Sequence, residues 1–378
     1  KPAEEGFRLV AAHLDVPRLD AKSMPLYEKD SLALFKTHYY GGIKKFQWAS
    51  IPLSLHIFAI DKSGKEINFV IGEKPGDPVF TISDVAIHLA QKQQMKRLTS
   101  DAITGEELNV IVGHRPEPMT DNKEVPNRVK NEVLRELEKQ FNLTEEDLSW
   151  AEIRVVPAMR AAEVGFDRGL IGAYGHDDRG CVYAAFQALS EISVPEHTAA
   201  VMLLDKEEVG SIGATGAQSR FFENCIAELV EANGESLSRV KEALSNSYML
   251  SSDVSAGYDP LYAYTMETRN ACYMGNGVVF NKYTGARGKS GCNDANAELI
   301  AWLRRVMDDA KVNFQTAELG KVDQGGGGTI AYILANLNMN VIDAGMPVLN
   351  MHAPMEVISK ADLYESYQAY KAFILADF

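Results

Sequence analysis

Cysteine is scarce in this chain: Cys181, Cys225, Cys272 and Cys292 are the only four in 378 residues, and no two form a Cys-x-x-Cys pair. A disulfide framework is therefore excluded, and a reducing cytoplasm is the expected compartment. No apolar run approaches the roughly 18 residues of a membrane span, and no basic-then-apolar leader opens the sequence. Basic charge is in deficit as well, with 38 Lys and Arg against 52 Asp and Glu for a formal net charge of −14. Nucleic-acid phosphates demand a basic face, so nucleic acid is excluded as a partner. The chain also lacks an initiating Met, opening on Lys1 and running almost at once into an apolar stretch, so an upstream segment is expected.

What remains is an ordinary globular composition, 46% hydrophobic and 24% charged, long enough for two or three domains at roughly 150 residues each. Residues Phe7 to His13 read as a buried strand. From about Ala21 to Val164 the texture changes to short β-rich runs, Ile51 to Ile60, Glu66 to Ile71 and Leu108 to Val112, divided by turn signals such as Lys74-Pro75-Gly76-Asp77-Pro78. Helices are predicted within this block over Ile82 to Met95 and over Arg128 to Phe141, the latter from Val129, Val133, Leu137 and Phe141 at a helical repeat. After Gly165 strands and helices alternate, closing with a helix from Ala361 to Phe378. This pattern predicts an α/β fold with a helix-covered, largely parallel central sheet. The expected division is 1–20 and 165–378 for that domain and 21–164 for a β-rich insertion.

The chemistry-bearing residues fall where these elements end. Leu203-Leu204-Asp205-Lys206-Glu207-Glu208-Val209-Gly210-Ser211 closes an apolar run with two adjacent carboxylates. Side by side they repel, and a fold that puts them there supplies a cation; one carboxylate can bind a metal while its neighbour deprotonates a water. In isolation a Glu-Glu pair more often marks a solvated loop. His13-Leu14-Asp15 ends the first strand, where a period of two sets both polar side chains on one face, as a metal ligand and a carboxylate that orients it; taken alone such a pair is more often a surface or core pair. Gly175-His176-Asp177-Asp178-Arg179-Gly180 opens a helix, Ser252-Asp253 ends a strand, and Met351-His352 lies in a late loop. Gly325 to Gly328 lack a following Gly-Lys-Ser/Thr, so they read as a helix-entering turn or a close backbone approach to substrate. Jointly these stretches supply His13, Asp177, Glu208, Asp253 and His352, the inventory for two divalent metals sharing one Asp. Oxygen and nitrogen donors without thiolate suit Zn, with Co and Mn as alternatives.

In order and spacing, His13-Leu14-Asp15, Asp177-Asp178-Arg179, Asp205 to Ser211, Ser252-Asp253 and Met351-His352 resemble the motifs of the aspartyl aminopeptidase family, metallopeptidase family eighteen, over essentially the whole chain. The resemblance implies a zinc-exopeptidase-like fold with an inserted β-rich dimerisation domain and an aminopeptidase activity on short peptides. It places the bridging ligand at Asp177, the general base at Glu207, and terminal ligands of two metal ions per subunit at His13, Glu208, Asp253 and His352, with Asp15 orienting His13. It further implies that His56, in Ile51-Pro52-Leu53-Ser54-Leu55-His56, enters the active site of a neighbouring subunit, within homodimers assembled into a homododecamer. From the residues alone His56 reads as a core or edge-strand histidine. One departure bears on specificity: the family's substrate-reading Lys falls at Asn281, with Lys282 one place on. The rival readings are another co-catalytic metallohydrolase, a carboxypeptidase or deacylase, and a non-catalytic scaffold on a dead peptidase fold.

Overall fold

Strand Arg8–His13 is buried at every position, as an interior strand covered on both faces must be. The computed structural model describes residues 1–119 and 125–377. In it the strand lies second in a six-stranded sheet of order Ala199–Leu204, Arg8–His13, Tyr248–Ser252, Asn340–Gly345, Val278–Asn281, Phe314–Thr316. The first four run parallel; Val278–Asn281 is antiparallel to Asn340–Gly345 and parallel to Phe314–Thr316. Alternate residues point to opposite faces. Val10, Leu250 and Ile342 therefore join one core with Ala184, Trp302 and Phe373, from helices His176–Ser190, Ala297–Ala310 and Lys360–Leu375. Leu9, Met249 and Val341 join another with Phe222, Ile226 and Val230 of helix Phe221–Ala232. Each large side chain so buried contributes about 1.5–3 kcal/mol, which holds the strand ends in fixed register.

By contact the chain divides into two units: one takes in Lys1–Val16, Ala161–Met351 and the chain from Met355 on, the other Pro17–Arg160 with His352–Pro354. The first unit also carries a sheet of five short strands, Ser255–Ala256, Pro347–Leu349, Glu356–Ser359, Leu170–Ala173 and Ala162–Val164. The second is built on a seven-stranded antiparallel sheet, Glu66–Ile71, Leu53–Ile60, Glu152–Pro157, Arg18–Lys29, Leu32–Tyr40, Asn109–Gly113, Thr81–Ile82. The Arg128–Phe141 helix forms over the predicted residues, burying Val129 and stacking Phe141 on Phe69 with ring centroids 3.7 Å apart.

Two local departures from the sequence pattern have physical causes. The helix expected over Ile82 to Met95 is reduced to a single turn, Ile87–Ala90, and a 3-10 turn, Gln94–Lys96. Every residue from Ser83 to Leu89 is exposed, and a short helix with no buried face is marginal in water. The Asp84 carboxylate instead accepts from the Val85 N–H at 2.7 Å and from the Gln94 amide at 2.6 Å, closing a loop. Conversely, the long hairpin Arg18–Lys29 and Leu32–Tyr40 carries no obvious sequence signal. Its turn residues, Asp30 and Ser31, are both left-handed at φ 50° and 63° without the usual Asn-Gly. The closing helix runs Lys360–Leu375, capped by the Ser359 side chain; the predicted end at Phe378 lies outside the described residues. Among the described residues no helix is long and apolar enough to cross a membrane.

Candidate metal centre

Parallel strands that start together end together, and loops leaving their carboxyl ends meet at one edge. Here His13 stands opposite Leu204, and Ala11 opposite Ser251. The chain leaving all three strands thus carries His13, Glu207-Glu208 and Asp253 to the same edge. After Leu204 the backbone turns sharply, with Lys206 (φ 67°) and Gly210 (φ 97°) left-handed on either side of the turn Glu207–Val209. Asp253 is seated by a close approach. Its carbonyl oxygen would lie 1.7 Å from a Cβ at Gly345, so only glycine fits there. Asp177 enters from the start of helix His176–Ser190, where Asp177 (φ −80°, ψ 102°) and Asp178 (φ −117°, ψ 19°) depart from helical geometry.

The centre is a buried imidazole ringed by carboxylates. His13 Nε2 lies 3.2 Å from Asp177 Oδ1, 3.9 Å from Glu207 Oε2 and 3.9 Å from Asp253 Oδ1. Ligand atoms of His13, Asp177 and Asp253 all lie within 4.8 Å of one another, as do those of His13, Glu207 and Glu208. The other ring nitrogen, Nδ1, is 2.9 Å from the main-chain carbonyl of Asp15. A carbonyl only accepts, so Nδ1 carries a proton and Nε2 is the nitrogen that faces the cluster, open to a metal once it gives up its own proton. The Asp15 carboxylate is 3.5 Å from the same nitrogen. Its oxygens also accept from the N–H groups of Glu207 at 3.1 Å and Glu208 at 3.2 Å, tying the Glu-Glu turn to the first strand.

The electrostatics are those of a site short of positive charge. Burial pushes the Asp253 carboxyl well above the usual range, and the charges of Asp178 and Asp177 push it further. Asp178 is raised by burial, with His13 opposing and Asp177 adding. Burial disfavours the His13 imidazolium, yet Asp15 and Asp177 outweigh it and hold its pKa well above the ordinary value. One imidazolium cannot balance several desolvated carboxylates, whereas divalent cations can. The donor set, one imidazole nitrogen with carboxylate oxygens, fits Zn, Co or Mn.

Two residues expected in the site belong to the second unit. His352 (φ 65°) has Nδ1 2.7 Å from the Gly42 carbonyl. His56, on strand Leu53–Ile60, has Nε2 2.7 Å from Glu73 Oε1 and is exposed enough to meet another molecule. The Gly325 to Gly328 stretch makes a backbone-to-backbone approach: Gly327 accepts from the Gly285 N–H at 2.6 Å, and a Cβ at Gly326 would meet the Gly285 carbonyl oxygen at 1.9 Å. Asn281 is buried and donates to the Ala317 carbonyl at 2.9 Å, while Lys282 pairs with Asp294 at 3.3 Å.

Sequence reasoning names Asp178 within a motif but gives it no role, and passes over Glu356 and Asp343. Asp178 Oδ2 accepts from the His13 N–H at 3.2 Å, and Glu356 Oε2 from the Asp177 N–H at 2.9 Å. Asp343 Oδ1 accepts from the Thr329 hydroxyl at 2.6 Å, and burial lifts its carboxyl to about 6. The available signal was a charged residue inside an otherwise apolar stretch, as in Val341-Ile342-Asp343-Ala344.

Residues 1–374 match the family profile described as "Aminopeptidase I zinc metalloprotease (M18)". A protein of Clostridium acetobutylicum described as a probable M18 family aminopeptidase 1 is 52% identical over 375 residues, 99% of this chain and 80% of that protein. The crystal structure of an M18-family aminopeptidase from Thermotoga maritima superposes with a TM-score of 0.95 at 46% identity, covering 99% of this chain and 82% of that one. A more distant structure, described as the S. cerevisiae mApe1 dodecamer, shares the fold at 19% identity with a TM-score of 0.74, covering 98% of this chain and 80% of that one.

Proposed function

The chain belongs to the aminopeptidase I family of zinc metalloproteases (M18), and from that premise we propose how this metal-dependent aminopeptidase removes N-terminal residues from peptides. One observation carries the reading: a buried imidazole, His13, with carboxylate oxygens of Asp177, Glu207 and Asp253 at 3.2–3.9 Å. The centre is suited to two divalent ions, zinc with cobalt or manganese as replacements. Asp177 would be shared between them, and His13, Glu208, Asp253 and His352 would supply the remaining protein ligands. When bound, such ions polarise the scissile carbonyl and acidify the attacking water. Glu207 takes the proton from that water and returns it to the departing amine. Asp15 keeps Glu207 and Glu208 in place through their main-chain N–H groups and keeps His13 presenting Nε2 through its own carbonyl.

The β-rich insertion, 21–164, is an assembly domain. His56 reaches from it into the active site of a neighbouring copy and helps to stabilise the oxyanion. The assembly is a dimer-based homododecamer, a reading supported by the family motifs and by the dodecameric state named for the distant yeast relative. Such a shell admits short or unfolded peptides. The unpaired cysteines accord with a cytoplasmic location.

The test is turnover of a panel of amino-acid amides, each with a free or N-acetylated amine, by protein stripped with chelator and then reloaded with Zn, Co or Mn. Two metal equivalents per chain, activity restored by metal and rejection of blocked amines are expected. Activity indifferent to chelation refutes the metal centre, and preference for acetylated substrates points to a deacylase.

A further inference from the structure

Three carboxylates around the centre, none of them a proposed ligand, grip the main chain of the residues that are ligands or base. Asp178 holds the N–H of His13, Asp15 those of Glu207 and Glu208, and Glu356 that of Asp177. Of these, Glu356 has the most specific geometry. It opens strand Glu356–Ser359, opposite Ala173 at the end of strand Leu170–Ala173. From Ala173 the chain reverses through Gly175, left-handed at φ 76°, and brings the N–H of Asp177 back onto Glu356 Oε2 at 2.9 Å. The first N–H groups of a helix have no carbonyl partner within it. Asp177 is itself non-helical, so Glu356, from a different strand, takes an N–H just ahead of the regular part of helix His176–Ser190, at the residue whose carboxylate must face His13.

Glu356 is 1% exposed, in a neighbourhood already rich in negative charge. Burying a further carboxylate there costs several kcal/mol unless strong donors meet it. The Asp177 N–H is one such donor. We propose that Glu356 is a positioning residue: by fixing the Asp177 main chain it sets the direction of the Asp177 carboxylate, and so the affinity of the centre for divalent metal. This rests on the reading of Asp177 as the bridging ligand.

The test is metal affinity, measured by titrating Zn, and separately Mn, into chelator-stripped protein below the unfolding temperature of every variant, with kcat and KM read on the reloaded protein. Partners that hold a metal ligand in place are typically worth 10- to 100-fold in affinity. E356A is expected to bind metal about 10- to 100-fold more weakly, with kcat reduced and KM for an amino-acid amide little changed. E356Q retains an acceptor oxygen at the same reach and should bind within a few-fold of wild type. E356D retains the charge but withdraws the oxygen by about one bond length, and should resemble E356A. If E356A does not fold, the order of E356Q against E356D decides the matter. Asp tighter than Gln, or E356A equal to wild type, overturns the proposal while leaving the metal centre intact. Wild-type protein that binds no metal overturns the centre and takes this role with it.

Discussion

Replacing Glu207 by Gln removes the proposed base while keeping its size. The residue is anchored by its own N–H, which donates to Asp15 Oδ1 at 3.1 Å, a bond that an amide side chain leaves intact. Its Oε2 lies 3.9 Å from His13 Nε2, inside the cluster but outside direct hydrogen-bond reach, as suits a carboxylate that acts on a water rather than on the ring. A positioned general base is worth roughly 100- to 10,000-fold, about 3–5 kcal/mol of barrier. The value of kcat on an amino-acid amide should fall by that factor, with metal content at the wild-type level because Glu207 is not among the proposed ligands. The substitution also removes a negative charge that helps to push up Asp253 and Asp343. The metal-free variant should accordingly resist urea at least as well as wild type at pH 7. Steady-state kinetics, metal analysis and urea unfolding check the three parts. Turnover within tenfold of wild type at full metal occupancy would refute the assignment, and metal lost together with turnover would make Glu207 a ligand instead.

The other predictions concern the surroundings of the centre. Asp343 is held up at about 6 by burial against an ordinary 3.8. An acid whose pKa is raised by folding keeps its proton better in the folded state, so Asp343 should take up to about 3 kcal/mol from the metal-free protein as pH rises from 4 to 6, with Asp178 and Asp253 adding losses of the same sign. D343N, whose amide oxygen still accepts from Thr329, should make that slope shallower and be more stable than wild type at pH 7; an unchanged slope in urea unfolding at pH 4, 5 and 7 counts against it. Gly345→Ala puts a methyl group 1.7 Å from the Asp253 carbonyl oxygen, so it should cost about 1–3 kcal/mol and weaken metal binding, as calorimetry and metal titration will show. H56A should be nearly inactive alone and regain turnover when its dissociated subunits are reassembled with those of E207Q, since each variant supplies what the other lacks. Absence of recovery in the mixture means that His56 does not act across subunits.

Buried strands that end in polar residues were readable in order, because an apolar run broken by His, Asp or Glu is a local signal. Arg8–His13 and Tyr248–Ser252 are such runs, whereas Ala199–Leu204, at the sheet edge, is only half-buried with Leu203 exposed. The Arg128–Phe141 helix was readable for the same reason, its apolar repeat being a short-range property. The Ile82–Met95 region failed as a helix because periodicity alone does not say whether a face has anything to pack against. The Arg18–Tyr40 hairpin was silent because Asp30 and Ser31 adopt left-handed geometry without glycine.

Taken alone, the sequence determined that His13, Asp177, Glu207, Glu208 and Asp253 stand at the ends of elements, their order along the chain and the α/β alternation that sends them to one edge, since each depends on residues within a few positions of one another. Which main-chain N–H groups each carboxylate faces was decided only by the tertiary structure. Asp178 meets His13 across 165 positions, Glu356 meets Asp177 across 179, and Asp15 meets Glu207 across 192. In the sequence these acids look no different from ligands or from surface charge. A carboxylate becomes an anchor or a ligand through the direction of the N–H groups and imidazole it faces, and that direction exists only once distant strands have been packed into register.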